Sequence, residues 1–312
     1  MRNKTIEGLL TVCLLALQSI GTTGDSPQSM GPLRVHPANG NYFQNSATGE
    51  AVLLTGSHTW ANFQERGVPG ETPDFDFEAY LDFLETHNHN FIRLWAWEHT
   101  KWMQFASPDV PIRYEPIRYA RTGPGEALDG EPKFDIRKFN PEYFGRLRRR
   151  VEAARDRGMY ISVMLFQGFS IEQKGTEGVD PKKGNPWDGH PFNRANNING
   201  IDGDPDDNGE GEEIHTLAVS EITRIQERYV RKVIDTLNDL DNVLWEISNE
   251  SHGDSTAWQY HMIRYIKNYE KDQPFQHPVG MTFQWGKDGA KNETLFKSPA
   301  DWISPNPEGG YR

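Results

Sequence analysis

The chain of 312 residues has one cysteine, Cys13, so a disulfide framework is excluded. Its longest apolar run, Leu9 to Leu17, is about nine residues, too short to cross a bilayer. Positive charge is also scarce. The 33 basic residues are outnumbered by 45 acidic ones, a formal net charge of -12 that repels phosphate backbones and anionic lipid. Nucleic acid and membrane surfaces are therefore poor partners. Aromatic side chains, by contrast, are plentiful: nine Trp, eleven Tyr and sixteen Phe are more than a core of this size needs, and flat apolar faces suit sugar rings.

The apolar run follows Arg2 and Lys4 and precedes Ser19 and Gly21, the layout of a secretory signal. Residues 1–21 are expected to direct export to the periplasm or the exterior and to be removed, taking the only thiol with them. Residues 22–32 read as a linker. From residue 33 onward, Leu33 to His36 and Asn41 to Gln44 flank the turn signal Pro37-Ala38-Asn39-Gly40 and predict a hairpin.

Six apolar runs then follow, at Val52 to Thr55, Phe91 to Trp95, Met159 to Phe166, Val243 to Ile247, Val279 to Phe283 and Trp302-Ile303. Between them, Phe75 to Thr86, Pro141 to Arg157, Val219 to Leu240 and Ser255 to Tyr269 carry apolar residues at helical spacing. Pro141 behind Asn140 and Gly158 behind a basic helix end are start and stop signals. Strand-helix alternation with two-sided apolar strands predicts an α/β fold with a parallel sheet. A (β/α)8 TIM barrel is expected, its bottom closed by the hairpin. A barrel needs eight strands and only six are found, so the domain at 33–312 reads as a partial barrel, C-terminally truncated, with an insertion at 167–217. An open doubly wound sheet competes, but no glycine-rich phosphate loop follows the first strand.

Asn242 to Ser251 carries the chemistry: a buried-strand pattern that ends in Asn249-Glu250. In a parallel barrel the active site lies at the C-terminal strand ends. Alternation puts Glu246, Ser248 and Glu250 on one face, with Glu250 at the rim. A carboxyl among aromatics is desolvated, which raises its pKa and lets it donate a proton near neutral pH. The ordinary alternative is that Glu250 caps the next helix while Glu246 pairs with Arg93.

The segment Trp245-Glu246-Ile247-Ser248-Asn249-Glu250 resembles the fourth-strand motif of the clan A glycoside hydrolases, the barrel superfamily that includes cellulases. That resemblance implies Glu250 as acid/base and Asn249 as the partner of the sugar 2-hydroxyl. Asn90 to Trp95 is similar to the second-strand segment whose Arg, here Arg93, supports the catalytic carboxylates. Gly40 to Asn62 is similar to the apiosidase-like branch, which acts on pectic side chains. The family's nucleophile sits on a seventh strand that this sequence lacks, so the chain alone is expected to be inactive. Glu308 is the sole internal substitute, because Asp301 would lie at the wrong end.

Rim positions supply the remaining candidates for substrate binding. His58 and Trp60 follow the first strand; Trp95, Trp97, Glu98 and His99 belong to the second; Gln167 and Phe169 to the third, His252 to the fourth and Trp285 to the fifth. The alternative for the rings is that they plug the barrel. The function implied is a secreted glycoside hydrolase acting on plant-type or other polysaccharides; the alternative is a carbohydrate-binding barrel without catalysis.

Two metal patterns stand out. His87-Asn88-His89 precedes the second strand and reads as structural. Asp204-Pro205-Asp206-Asp207-Asn208-Gly209 fits the start of a calcium loop, with Asp204, Asp206, Asn208 and Glu210 as candidate ligands, but His215 stands where a bidentate Glu belongs. A structural calcium or a solvated acidic loop are equal readings, and no other cofactor is expected.

Overall fold

The computed structural model describes residues 31–68, 70–102, 112–172, 184–285 and 292–306. The proposed signal, Cys13 and Glu308 lie outside these. Three short strands open the described chain. β1 (Leu33–Val35), β2 (Phe43–Asn45) and β3 (Ala51–Val52) form an antiparallel sheet. Leu33 packs against Tyr160 and Leu244, and Asp241 accepts the Gly31 N–H at 2.9 Å. The hairpin therefore covers the N-terminal ends of the larger sheet, the bottom position expected for it.

After β4 (Glu65–Gly67) come α1 (Phe77–Thr86) and β5 (Phe91–Leu94). Next are β6 (Lys101–Trp102), β7 (Ile112–Glu115), β8 (Tyr119–Glu126) and β9 (Pro132–Phe139). The chain continues with α2 (Pro141–Asp156), β10 (Tyr160–Gln167), α3 (Ser220–Leu237) and β11 (Val243–Asn249). It ends with α4 (Thr256–Glu270), β12 (Val279–Thr282), α5 (Asn292–Phe296) and β13 (Trp302–Ser304).

The central sheet is parallel, in the order β13-β12-β11-β10-β5, and curls as a half-barrel under α1 to α4. Every residue of β10 and β11 is buried. That is what strands covered on both faces require, and it is why their sequences are nearly continuous apolar runs. Helix ends follow the local chemistry. Asn140 accepts the Glu142 N–H ahead of Pro141, and Gly158 takes φ +71° just past α2, a conformation that suits glycine.

The expected first strand, Val52 to Thr55, differs from prediction. Val52 pairs antiparallel with β2, and beyond it only a single parallel bridge joins Gly56 to Phe91. Asn90 replaces the rest of the ladder, accepting from Thr55 N–H and donating to Leu53 O through its side-chain amide. Among the described residues no ladder joins β13 back to Gly56. At that outer side Trp302 lies across Gly280, its ring where a Cβ on Gly280 would sit.

Two features had no counterpart in the sequence reading. β8 and β9 form a long antiparallel hairpin, and β4-β7-β6 forms a small sheet beside it. Phe134 and Ile136 of the hairpin share a second core with Trp187, Phe192 and Ile214 from the insertion. The described part of the insertion is thus packed into the molecule. No described helix is long and apolar enough to cross a membrane.

Candidate active site

Three parallel strands bring the predicted polar residues together. Arg93 on β5 donates from Nε to Glu246 Oε2 at 2.8 Å, makes a second, shorter contact to the same carboxylate, and donates from Nη2 to Asn249 Oδ1 at 2.9 Å. Asn249 Nδ2 donates to Gln167 Oε1 at 2.9 Å. Because a guanidinium can only donate, Oδ1 must face Arg93 and the amide orientation is fixed. Among the described residues Nδ2 has no second acceptor.

Burial weakens the charged form of Arg93, but the Glu246 carboxylate outweighs it and the pKa is raised. Glu246 is 1% exposed, and its bidentate contact is the pairing that a buried carboxylate needs. The ordinary reading of Glu246 as an Arg93 partner therefore holds.

Glu250 follows β11 directly and has φ +49°, in the left-handed region. Strand alternation thus ends at Asn249 and does not carry Glu250 along the face of Glu246. The side chain is partly exposed. It is also well removed from helix α4, which begins at Thr256 after a short 3-10 turn. On the neighbouring strand Gly168 permits the close approach: a Cβ there would sit 2.4 Å from the Glu250 carbonyl oxygen.

The aromatic candidates divide by exposure. Trp60 is 42% and Trp285 53% exposed, and the Trp285 N–H bonds the Ser251 carbonyl next to Glu250. His58 stacks on Trp95 at 5.2 Å; burial, then the Arg93 charge, lower its pKa. Trp95 and Trp97 are buried with Trp102, Tyr114 and Met164, so they form a plug beneath the rim more than a stacking face. His252 is mostly buried and faces the Glu212 carbonyl at 3.0 Å.

Glu98 needs correction. Its side chain is 2% exposed, paired with Arg118 at 2.8 Å, and so cannot serve as an open rim acceptor. Burial favours its neutral form, but Arg118 first and then His190 and His215 hold the carboxyl well below the usual range. His99 is likewise buried, with Nδ1 2.8 Å from Ser170 Oγ, and burial pushes its pKa down to about 3. Sequence position alone could not separate these two from the rim, since their partners lie far along the chain.

Away from this centre, Asp301 pairs with Lys267 and accepts the Val279 N–H at the start of β12, the end opposite to Glu250. His87 bonds back to Phe83 O as α1 ends, a structural place. The acidic loop gathers Asp204, Asp206 and Glu213, with ligand oxygens within 4.8 Å of one another. Of the other two predicted ligands, Asn208 donates its side-chain amide to Asp206, and its Oδ1 accepts the Glu210 N–H. Glu213, an acid next to the motif in sequence, lies in the 3-10 turn at Glu212–His215. One oxygen from each of three carboxylates falls short of the six to eight that calcium takes, so bidentate contacts or water would have to complete the shell.

A family model described as "Domain of unknown function (DUF6298)" matches residues 98–289. No curated protein matches. Among solved structures, a Bacteroides vulgatus protein provisionally described as a glycoside hydrolase is 15% identical, with TM-score 0.48, over 81% of this chain and 39% of that one. A glycoside hydrolase family 5 mannosidase from Rhizomucor miehei is 15% identical, with TM-score 0.45, over 81% and 56%. Endo-glycoceramidase II from Rhodococcus sp. is 15% identical, with TM-score 0.42, over 76% and 50%. The chain spans about two fifths to three fifths of the length of these structures.

Proposed function

Because the chain belongs to the DUF6298 family, whose description assigns no activity, we propose from the site itself that the protein is a glycoside hydrolase in which Glu250 donates the proton to the leaving glycosidic oxygen. The observation that carries this reading is the clamp on Asn249. Arg93 and Gln167 fix both ends of the amide in the residue just before Glu250, and among the described residues its Nδ2 has no second acceptor. A fixed donor next to a partly exposed carboxyl is the pairing that protonating a sugar acetal while gripping a ring hydroxyl requires.

The other residues then have distinct tasks. Arg93 neutralises Glu246 and orients Asn249, and the exposed faces of Trp60 and Trp285 offer apolar platforms for sugar rings. His58 is a candidate hydroxyl partner beside Trp95. A hydrolase of this kind needs a second carboxyl, about 5 to 5.5 Å away for retention or 6.5 to 9.5 Å for inversion. Glu246 is unsuited to that role because Arg93 occupies both of its oxygens. On the same reading the substrate is an oligo- or polysaccharide of plant type, met outside the cytoplasm after export.

The test is sugar release from a panel of plant polysaccharides by the protein as its gene encodes it. Glu250→Gln should lower turnover by at least about 100-fold, the usual worth of a positioned proton donor, and leave oligosaccharide affinity unchanged. Near wild-type turnover in that variant refutes the assignment. Wild-type protein that binds oligosaccharides and cleaves none supports the carbohydrate-binding alternative instead.

A further inference from the structure

Glu250 occupies a backbone conformation that a non-glycine residue adopts at a cost of about 1–3 kcal/mol, so its neighbours must impose it. Its two sequence neighbours are both traceable to one buried carboxylate. Glu98 Oε1 accepts the Gln167 N–H at 2.7 Å, and the side chain of Gln167 holds Asn249. The same oxygen lies 3.2 Å from His215 Nε2, and the other nitrogen of that ring lies 3.3 Å from Ser251 Oγ.

With a neutral imidazole, hydrogen-bond direction makes the second relay one-way. A carboxylate facing Nε2 requires an N–H there, so in the neutral ring Nδ1 accepts from Ser251. Ser251 Oγ is then left to accept from Ser248 Oγ, 2.5 Å away. Stacking on Trp258 at 4.6 Å keeps the imidazole in plane. Arg118, also 2% exposed, fixes the carboxylate from its other side.

We infer that Glu98 is a positioning residue that sets the direction of Glu250 through two relays, Gln167 to Asn249 on one side and His215 to Ser251 on the other. As to catalysis, this rests on Glu250 being the proton donor; as to geometry, it does not. Glu98 touches no reacting atom itself, so its removal acts on turnover through alignment and spares the exposed aromatic surfaces that bind. Misplacement by about 1 Å can cost about 100-fold in rate.

The perturbation is Glu98→Gln, which replaces one accepting oxygen by a donor facing other donors. Three readouts are expected. In ¹⁵N–¹H spectra of the protein, the side-chain amide of Asn249 and the backbone amide of Ser251 should both move. In the gene-encoded enzyme, kcat should fall about 100-fold while KM stays within roughly threefold. His215→Phe keeps the stacked ring, removes its N–H and should move the Ser251 signal alone, which covers the case of a Glu98 variant that folds poorly.

Glu270→Gln is the control: that carboxylate is equally buried, bonded to His277 and Trp245, and should lower stability without touching kcat or either signal. Unmoved Asn249 and Ser251 signals in Glu98→Gln, or a kcat no lower than that of the control, overturn the inference. Moved signals in a protein that cleaves no glycoside support the positioning geometry and defeat the proposed activity, so the two failures are distinguishable.

Discussion

Arg118→Met isolates the energetic weight of the ion pair behind the site. Both partners are 2% exposed, so neither charge is relieved by water when the other is removed. Breaking such a pair costs about 3–5 kcal/mol, because one charge stays buried without compensation. Methionine follows much of the arginine stem, which limits any cavity, but the guanidinium 4.1 Å from the Tyr229 ring is lost as well. At about 2 °C per kcal/mol for a chain of this size, Tm should drop by roughly 6–10 °C.

The pH dependence of that loss has a definite sign. In the wild type the Glu98 carboxyl is held low, so it contributes stability above the unfolded value of about 4.3, and that contribution is lost as pH falls through the folded pKa. Without Arg118, burial dominates and the folded pKa rises. A raised carboxyl contributes stability at low pH and loses it as pH rises. The gap between wild type and variant should therefore be widest at pH 7–8 and narrow toward pH 5. Burial, the largest cause of the lowered His190 pKa, acts in both proteins, so that group's own pH dependence largely cancels in the gap. Urea unfolding at pH 5, 6, 7 and 8 measures the gap. A gap below about 1 kcal/mol, the level of an exposed pair, or one that does not vary with pH, refutes the reasoning.

Gly168→Ala should shift the Glu250 carbonyl, since its Cβ would fall 2.4 Å from that oxygen and the neighbours are backbone. The expected cost is about 1–3 kcal/mol of stability, with a loss of kcat exceeding any change in KM, read by denaturation and steady-state kinetics. In the acidic loop, burial and mutual repulsion raise Asp204 and Glu213, so their stabilising contribution fades as pH rises. Asp206→Asn should then raise Tm at pH 7 and lose that gain by pH 4. A calcium titration that lifts the wild-type Tm but not that of the variant assigns the loop to a cation, and an unmoved Tm in both assigns it to solvent.

The parallel sheet and its four long helices were legible because each element announces itself locally: continuous apolar strands, helical spacing, Pro141 and Gly158 at the ends of α2. The β8–β9 hairpin was not, since Gly123, Pro124 and Gly125 interrupt one of its strands and read as a loop. Arg93, Asn249 and Gln167 were named from strand ends, and their convergence follows from strand register: Gln167 lies directly opposite Asn249. Glu98 was placed on the rim because it follows the second strand, where ligand loops belong. Its partner His215 lies 117 residues away, a separation at which no local pattern speaks. The shape of the acidic loop was not legible for a related reason: a motif of fixed spacing does not show which turn it takes, and Asp204 accepts backbone bonds from Asn208 and Gly209.

The meeting of Trp302 with Gly280 has a consequence for how the last strands find their alignment. Three residues of edge strand form too few ladder bonds to resist sliding, and a one-residue slip would turn every side chain to the opposite face. Val279 and Met281 flank the glycine with side chains of their own, and β12 has no second glycine. The indole therefore behaves as a key with a single slot. A register that set Val279 or Met281 under the indole would put a Cβ where the ring now lies, so the packing of one side chain fixes the alignment of a short parallel pairing.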